Sequence, residues 1–217
     1  MDNLNKYIEH TLLKQDATNV ELMKIFEEAK KYEFRGVCVN PCYVKLAKES
    51  LKDSEVKVVT VIGFPLGANK SEVKAFEASC AKADGADEID MVINVTKLKD
   101  KNYDFVTEDI KAVKIACGEL PLKVIIETDL LTKDEIKKAC ELAISAGANF
   151  VKTSTGFVKG GVGAKVEDVE LMYATVNPYG LKVKASGGIR DKETAIKMIE
   201  AGAYSLGTSS GVKIVEG

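Results

Sequence analysis

Three charged residues interrupt apolar runs in which side chains normally pack against one another. Lys152 follows the apolar pair at 150–151, Lys184 follows a valine, and Asp90 stands between an isoleucine and a methionine. A lysine amine attacks a carbonyl only as the free base, yet an isolated lysine has a pKa of about 10.4 and is almost fully protonated at neutral pH. A second ammonium and burial both lower the pKa of a lysine, and a carboxylate can pass protons through water. Together the three residues predict a nucleophilic lysine, Lys152, assisted by a second lysine and a carboxylate.

Each of these residues also has an ordinary structural interpretation. Lys184 can end a strand with its ammonium in water, and Asp90 can belong to the acidic start of a strand, residues 87–90. Lys152 taken alone fits a surface lysine equally well. The three together favour chemistry, because burying two cations and a carboxylate in one place is costly without a use.

A regular repeat of short strands and helices must position these residues. Runs rich in valine and isoleucine alternate with amphipathic stretches of about a dozen residues. The predicted strands are 8–12, 36–39, 56–62, 88–92, 122–126, 150–153, 182–185 and 205–207, and the clearest helices are 19–32, 110–116, 136–145 and 195–201. Eight such units over residues 1–217 predict one (β/α)8 TIM-barrel domain, whereas an open doubly wound sheet would need a reversal of strand order that the sequence does not signal.

Glycine and hydroxyl residues follow the strands where a barrel usually binds phosphate. Residues 186–189 read Ser-Gly-Gly-Ile after the seventh strand, residues 207–211 read Gly-Thr-Ser-Ser-Gly after the eighth, and residues 153–156 read Thr-Ser-Thr-Gly after Lys152. Glycine lets backbone amides approach an anion closely. These three loops, including Thr155 and Gly156 after Lys152, are therefore predicted to bind phosphate.

Histidine and cysteine usage argues against a protein-bound transition metal. His10 is the single histidine and is predicted to be structural, whereas catalytic zinc and iron sites usually draw on two or three imidazoles. The five cysteines are scattered, and we expect reduced thiols at positions 38, 42, 80, 117 and 140. No metal and no cofactor are therefore expected.

Charge and hydropathy bound the partners. A net charge of −2 offers no strong field for nucleic acid, and no apolar run approaches the roughly 18 residues that span a bilayer. Residues 1–6 lack the apolar core of a signal peptide, so a cytoplasmic protein is expected.

The chain resembles the deoxyribose-phosphate aldolase family along nearly its whole length. Six segments carry the resemblance in order: HTLL at 10–13, VCVNP at 37–41, GFPLG at 63–67, EIDMV at 88–92, VKTSTGF at 151–157 and KASGGIR at 184–190. The resemblance implies reversible cleavage of 2-deoxy-D-ribose 5-phosphate to D-glyceraldehyde 3-phosphate and acetaldehyde, as part of nucleoside breakdown. It also implies that Lys152 forms the Schiff base, that Lys184 tunes it and that Asp90 relays protons.

The same resemblance implies phosphate contacts at six residues of these loops: Gly156, Gly187, Gly188, Gly207, Ser209 and Ser210. It implies small-molecule partners, a phosphosugar and acetaldehyde, and it leaves a homodimer and a homotetramer open.

Two departures from the family are visible. Phe157 stands where some relatives carry a basic residue, and the chain ends at Gly217, without the C-terminal tail of longer relatives. A role for such a tail in proton transfer is therefore in doubt here. Another phosphosugar barrel enzyme, transaldolase-like or an epimerase, and a non-catalytic barrel subunit stay open as alternatives.

Overall fold

Short valine-rich and isoleucine-rich runs form eight parallel strands in the computed structural model, which describes residues 3–217. The first two residues, part of the stretch assessed above for a signal peptide, lie outside the described residues. The strands are β1 Ile8–Leu12, β2 Gly36–Val39, β3 Lys57–Ile62, β4 Glu88–Val92, β5 Leu122–Ile125, β6 Phe150–Lys152, β7 Lys182–Ser186 and β8 Ala203–Thr208. Each pairs with the next, and β8 pairs with β1, so the sheet is closed. This confirms the predicted barrel and excludes the open sheet.

The predicted strand ends differ from the observed ends by two residues or fewer. The largest difference is at β8, which begins at Ala203, directly after the helix-ending Gly202. The boundary shifts do not move Asp90, Lys152 or Lys184 out of their predicted strands.

Nine α-helices surround the barrel in residues 3–217. They are α1 Asn19–Lys31, α2 Val44–Ser50, α3 Ser71–Ala83, α4 Val95–Lys99, α5 Tyr103–Cys117, α6 Lys133–Ser145, α7 Val166–Val176, α8 Lys192–Glu200 and α9 Gly211–Glu216. Short 3-10 turns lie at Leu4–Tyr7, Pro41–Tyr43, Thr128–Leu130 and Asn177–Tyr179.

The prediction of helices from the sequence was incomplete. The helix predicted at 110–116 begins at Tyr103, because the Asn102 side chain accepts a hydrogen bond from the Phe105 backbone N–H at 3.2 Å and caps it. Helix α3 was missed. Its Lys74 is fully buried and donates to the Asp109 carboxylate at 2.6 Å, so a charged residue occupies a position where an apolar one is expected.

Most of the apolar core lies between the helices and the outer face of the barrel, where residues such as Leu22, Phe26 and Ile110 are fully buried. A second, small cluster comprises Leu13, Cys38, Val59 and Val61, with Phe64 packed against it. The cluster is small because charged side chains fill much of the remaining barrel interior.

Candidate active site

Asp90 of β4 is the meeting point of three lysines inside the barrel. Its Oδ2 atom accepts hydrogen bonds from the Nζ atoms of Lys152 at 2.9 Å and Lys184 at 2.7 Å, and its Oδ1 atom accepts one from Lys123 at 2.8 Å. Strand register explains the meeting, because Asp90 pairs with Lys123 across β4 and β5, and Lys152 pairs with Lys184 across β6 and β7. The structure thus brings together the three residues selected from the sequence.

The charges around Asp90 keep its carboxylate ionised. Complete burial alone would raise the pKa of Asp90, but the ammonium groups of Lys123, Lys152 and Lys184 outweigh that effect and hold the pKa well below its ordinary value. Asp90 therefore serves as a fixed negative charge at neutral pH.

Lys184 is held as a cation. It donates to Glu9 of β1 and to Asp90, and it is fully buried. Burial would lower the pKa of Lys184, but the two carboxylates raise it above its ordinary value. Lys123 behaves similarly, since burial lowers its pKa while Asp90 and Glu9 raise it. Two permanent ammonium groups thus lie beside Lys152.

Lys152 differs from these two lysines in what it faces. It lines a cavity of about 370 Å³ that opens at the C-terminal end of the strands, whereas Lys184, Lys123 and Asp90 lie beneath this cavity and do not line it. Among residues 3–217, its ammonium forms an ion pair with one carboxylate, that of Asp90. Lys152 is therefore the lysine of this group that an incoming aldehyde can meet.

Four further charged residues, Glu9, Arg35, Glu88 and Lys123, complete the interior and were missed by the sequence analysis. Glu9 and Glu88 contact the lysines, and Arg35, just before β2, contacts both glutamates. Burial alone would raise the pKa of Glu9, but Lys123 and Lys184 lower it to about 2. The charged cluster consists of Glu9, Arg35, Glu88, Asp90, Lys123, Lys152 and Lys184.

A signal for two of these residues, Glu9 and Lys123, was present in the sequence. Glu9 and Lys123 interrupt apolar strands in the same way as Asp90 does, since each stands between apolar or buried positions of its strand. The same criterion applied to every strand would have selected them.

Six of the seven predicted phosphate contacts line the same cavity as Lys152. They are Thr155, Gly156, Gly187, Gly188, Gly207 and Ser209. The seventh, Ser210, does not line it and instead borders a separate surface depression with His10. Two cations that the sequence analysis did not select, Lys14 and Arg190, also line the cavity.

Glycine is required in this loop region by conformation and by space. Gly188 has a φ of +75°, and a Cβ atom placed there would lie 2.3 Å from the carbonyl oxygen of Val162. Gly187 has a φ of +84° and closely approaches Gly163. The Gly163 backbone N–H donates to the Asp129 carboxylate at 2.8 Å, and the Ala164 backbone N–H donates to the Gly187 carbonyl at 3.1 Å, so the loop after β6 is tied to the loops after β5 and β7.

Glu127, two residues after the end of β5, supports the loop that follows Lys152. Its φ is +63°, an unfavourable conformation for a residue with a side chain, and its carboxylate accepts hydrogen bonds from both the backbone N–H and the hydroxyl of Thr155. Burial raises the pKa of Glu127, and the hydrogen bonds from Thr155 oppose that effect. Glu127 thereby fixes one wall of the cavity.

An apolar pocket of about 340 Å³ adjoins this wall. It shares Thr155 and Phe157 with the first cavity and is otherwise lined by residues such as Pro65, Leu66 and Leu130. Phe157, the residue that departs from the family pattern, packs edge to face against Phe64 with ring centroids 5.0 Å apart. The mouth at this side is apolar where a basic residue would add charge.

His10 lies outside the lysine cavity. Its ring is buried against Phe34, and its Nε2 atom lies 2.8 Å from the Glu28 carboxylate. These contacts agree with the structural role predicted for it.

Within residues 3–217, no group of three or more histidine, cysteine, aspartate or glutamate residues is arranged to hold a metal ion. All five cysteines are free, and burial raises the pKa of Cys117 to about 11 and that of Cys140 to about 12. In the same range, no helix combines the length and the apolar character needed to cross a membrane.

Comparisons with known proteins agree with this architecture. Residues 5–217 match the model of the DeoC/LacD family of aldolases. A deoxyribose-phosphate aldolase of Finegoldia magna is 61% identical over 214 residues, which cover 99% of this chain and 99% of that protein. One of Lactococcus lactis subsp. lactis is 58% identical over 99% of this chain and 96% of its own length.

A solved structure leads to the same assignment. The tetrameric deoxyribose phosphate aldolase from Aeropyrum pernix superposes with a TM-score of 0.90 at 34% identity, covering 98% of this chain and 89% of that one. On the strength of the family match and of these relatives, the chain belongs to the DeoC/LacD family of aldolases.

Proposed function

We propose that this protein is a class I deoxyribose-phosphate aldolase. It reversibly cleaves 2-deoxy-D-ribose 5-phosphate to D-glyceraldehyde 3-phosphate and acetaldehyde through a Schiff base on Lys152. The observation that carries the proposal is the position of Lys152, which lines the cavity while the other lysines bound to Asp90 lie beneath it. The names of the relatives supply the substrate class.

The reaction begins when the free amine of Lys152 adds to the C1 aldehyde of the open-chain sugar. Loss of water gives an iminium ion, which withdraws electrons from the adjacent carbon chain. A water molecule takes the proton of the C3 hydroxyl and passes it to the Asp90 carboxylate, which Lys184 holds in place by a hydrogen bond, and the C2–C3 bond breaks. The bonding pair moves toward C1 to form an enamine, and glyceraldehyde 3-phosphate leaves.

The second half of the reaction releases acetaldehyde. The proton returns from Asp90 through water and adds to C2 of the enamine, which regenerates an iminium ion. Water then hydrolyses that ion, so acetaldehyde leaves and Lys152 returns to a free amine. The same steps in reverse form the carbon–carbon bond.

The glycine loops bind the phosphate at the far end of the sugar. Backbone groups at Gly156, Gly187, Gly188 and Gly207 line that part of the cavity, and Arg190 adds positive charge. Binding energy from the phosphate then orients C1 toward Lys152, so remote contacts contribute to the rate of the chemical step.

Borohydride trapping tests the role of Lys152. The folded protein is incubated with acetaldehyde, reduced with borohydride and mapped by peptide mass, and an ethyl adduct is expected on Lys152. The Lys152→Met variant should lose both the adduct and the cleavage activity. The control is Lys182→Met, since Lys182 lies two residues before Lys184 but rests over the Tyr204 ring at 3.7 Å. Absence of an adduct on Lys152 in the folded wild-type protein would refute the proposal.

We propose that residues 1–217 act as one domain, which predicts a single cooperative unfolding transition. A homodimer or homotetramer is supported by the tetrameric relative from Aeropyrum pernix, and light scattering would distinguish the two from a monomer. Five free thiols support the cytoplasm, and cell fractionation would test that location.

A further inference from the structure

Arg35 connects the N-terminal end of the barrel to the lysines around Asp90. Its Nη1 atom donates to Glu9 at 2.8 Å and to Glu88 at 3.1 Å, and its Nη2 atom donates to Glu88 at 2.6 Å. Glu9 also accepts from Lys184, and Glu88 lies 2.6 Å from the ammonium of Lys123. Both carboxylates are thus shared between Arg35 and a lysine that contacts Asp90.

The charged cluster contains more cations than carboxylates. The cations are Arg35, Lys123, Lys152 and Lys184, and the carboxylates are Glu9, Glu88 and Asp90. An excess charge in a buried site is costly, and releasing one proton makes the cluster neutral. Arginine does not release its proton in proteins, so a lysine must do so.

The three lysines differ in the number of carboxylates that they contact. Lys123 lies within 3.8 Å of all three carboxylates, and Lys184 contacts two of them. In the described part of the chain, Lys152 contacts one, and that one is shared with the other two lysines. Lys152 therefore has the fewest carboxylate contacts of the three lysines.

Other titratable groups surround the cluster without pairing with it. Burial raises the pKa of Cys38, so its thiol stays neutral. Glu127 accepts hydrogen bonds from Thr155 and interacts electrostatically with Lys152 without forming an ion pair, and burial raises the pKa of its carboxyl. Lys182 lies over the Tyr204 ring, which also faces the Arg35 guanidinium at 5.6 Å. Within residues 3–217, these groups form no ion pair with the seven residues of the cluster.

We propose that Arg35 is a positioning residue that keeps Lys152 as a free amine. Arg35 pairs with Glu9 and Glu88 at the N-terminal end of the barrel. The remaining carboxylate charge is then too small to stabilise three lysine ammonium groups at once. The inference rests on the proposed function, in which Lys152 is the nucleophile. It goes beyond that function because a residue that does not line the cavity would control the protonation state of Lys152.

The pH dependence of kcat/KM for 2-deoxyribose 5-phosphate tests the role of Arg35. The Arg35→Met variant removes one cation, so Lys152 should keep its proton and the rising limb should move to higher pH. The guanidinium lies roughly 10 Å from the amine, since the Glu88 and Asp90 layers are about 6.6 Å apart along the strand, and this predicts a shift of about one pH unit. Activity at pH 7 should fall about tenfold, in kcat rather than in KM.

Charge-compensating variants distinguish an effect on the protonation of Lys152 from damage to the fold. Arg35→Lys restores the cation and should restore the wild-type profile. Glu88→Gln removes a carboxylate and should move the limb to lower pH, and the double variant Arg35→Met/Glu88→Gln should return it to the wild-type position. Lys48→Met is the control, because Lys48 pairs with Asp87 at 2.7 Å at the same end of the barrel but is half exposed, and its profile should not move.

The outcomes are distinguishable. Opposite shifts in Arg35→Met and Glu88→Gln, cancelled in the double variant, support the inference. An unchanged limb in either single variant, while acetaldehyde is still trapped on Lys152, overturns it and leaves the proposed function intact. If Arg35→Met does not fold, Glu88→Gln and Arg35→Lys decide the matter alone. Failure of trapping in the wild-type protein removes the proposed function itself.

Discussion

Replacing Lys184 by methionine should move the activity profile further than any change at the N-terminal end of the barrel. Methionine matches the stem of Lys184 in length and leaves the surrounding apolar contacts in place. The substitution removes a buried ammonium that donates to Glu9 and Asp90. In the variant, three cations remain with three carboxylates, so the charged cluster is neutral with Lys152 protonated. We therefore expect Lys152 to keep its proton at neutral pH.

The size of the effect follows from geometry. Lys152 and Lys184 bond to the same oxygen of Asp90 at 2.9 and 2.7 Å. Their nitrogens are therefore at most about 5.6 Å apart, and at an effective dielectric constant of about 20 two unit charges at that distance repel by about 3 kcal/mol. One pH unit corresponds to about 1.36 kcal/mol, so the rising limb of kcat/KM should move up by about two units. Activity at pH 7 should fall about a hundredfold and recover as the pH rises.

The assay is the initial rate of cleavage between pH 5 and 10, with borohydride trapping by acetaldehyde at the same pH values. The control is Lys74→Met, which removes an equally buried lysine that pairs with Asp109 at 2.6 Å outside the barrel. That variant should lose about 3 to 5 kcal/mol of stability toward urea without a shift in the profile. An unshifted profile in Lys184→Met, together with an unchanged rate at pH 7, would refute the electrostatic argument.

Acidity, loop geometry and thiol exposure give three further measurable outcomes. The pKa of Glu9 falls from 4.5 to about 2 on folding, so its ionised form contributes about 3 kcal/mol above pH 4.5 that is lost as the pH drops toward 2; urea unfolding should show a shallower acid dependence for Glu9→Gln than for the wild type. Gly188→Ala should raise KM for the phosphate ester at least about tenfold without blocking acetaldehyde trapping, because its Cβ meets a carbonyl oxygen, while Gly180→Ala, which faces open space, should not; equal KM values would contradict the loop assignment. In the native reduced protein the exposed Cys42 and Cys80 should react quickly with an aromatic disulfide and the three buried thiols only after unfolding, so more than two fast thiols would count against the burial described.

The sequence determined the architecture because the signals for it are local. Alternation of apolar strands with amphipathic helices, and the glycines that follow several helices, such as Gly85, Gly147 and Gly202, act over a few residues and do not depend on distant contacts. Lys152, Lys184 and Asp90 could be selected for the same reason, since each breaks an apolar strand. Helices such as α3 were missed where a tertiary contact, the Lys74 pair with Asp109, replaces the local apolar pattern.

Only the tertiary structure decided how the charges are shared. Strand register and barrel closure bring Glu9 of β1 beside Lys184 of β7, residues that are distant in the chain, and no short-range pattern encodes that contact. Closure also places Lys152 at the cavity and Lys184 beneath it, which the sequence could not rank. Local patterns identify which residues are unusual. The closed barrel determines which of these residues influence one another's protonation, because electrostatic coupling depends on distance in space and on burial.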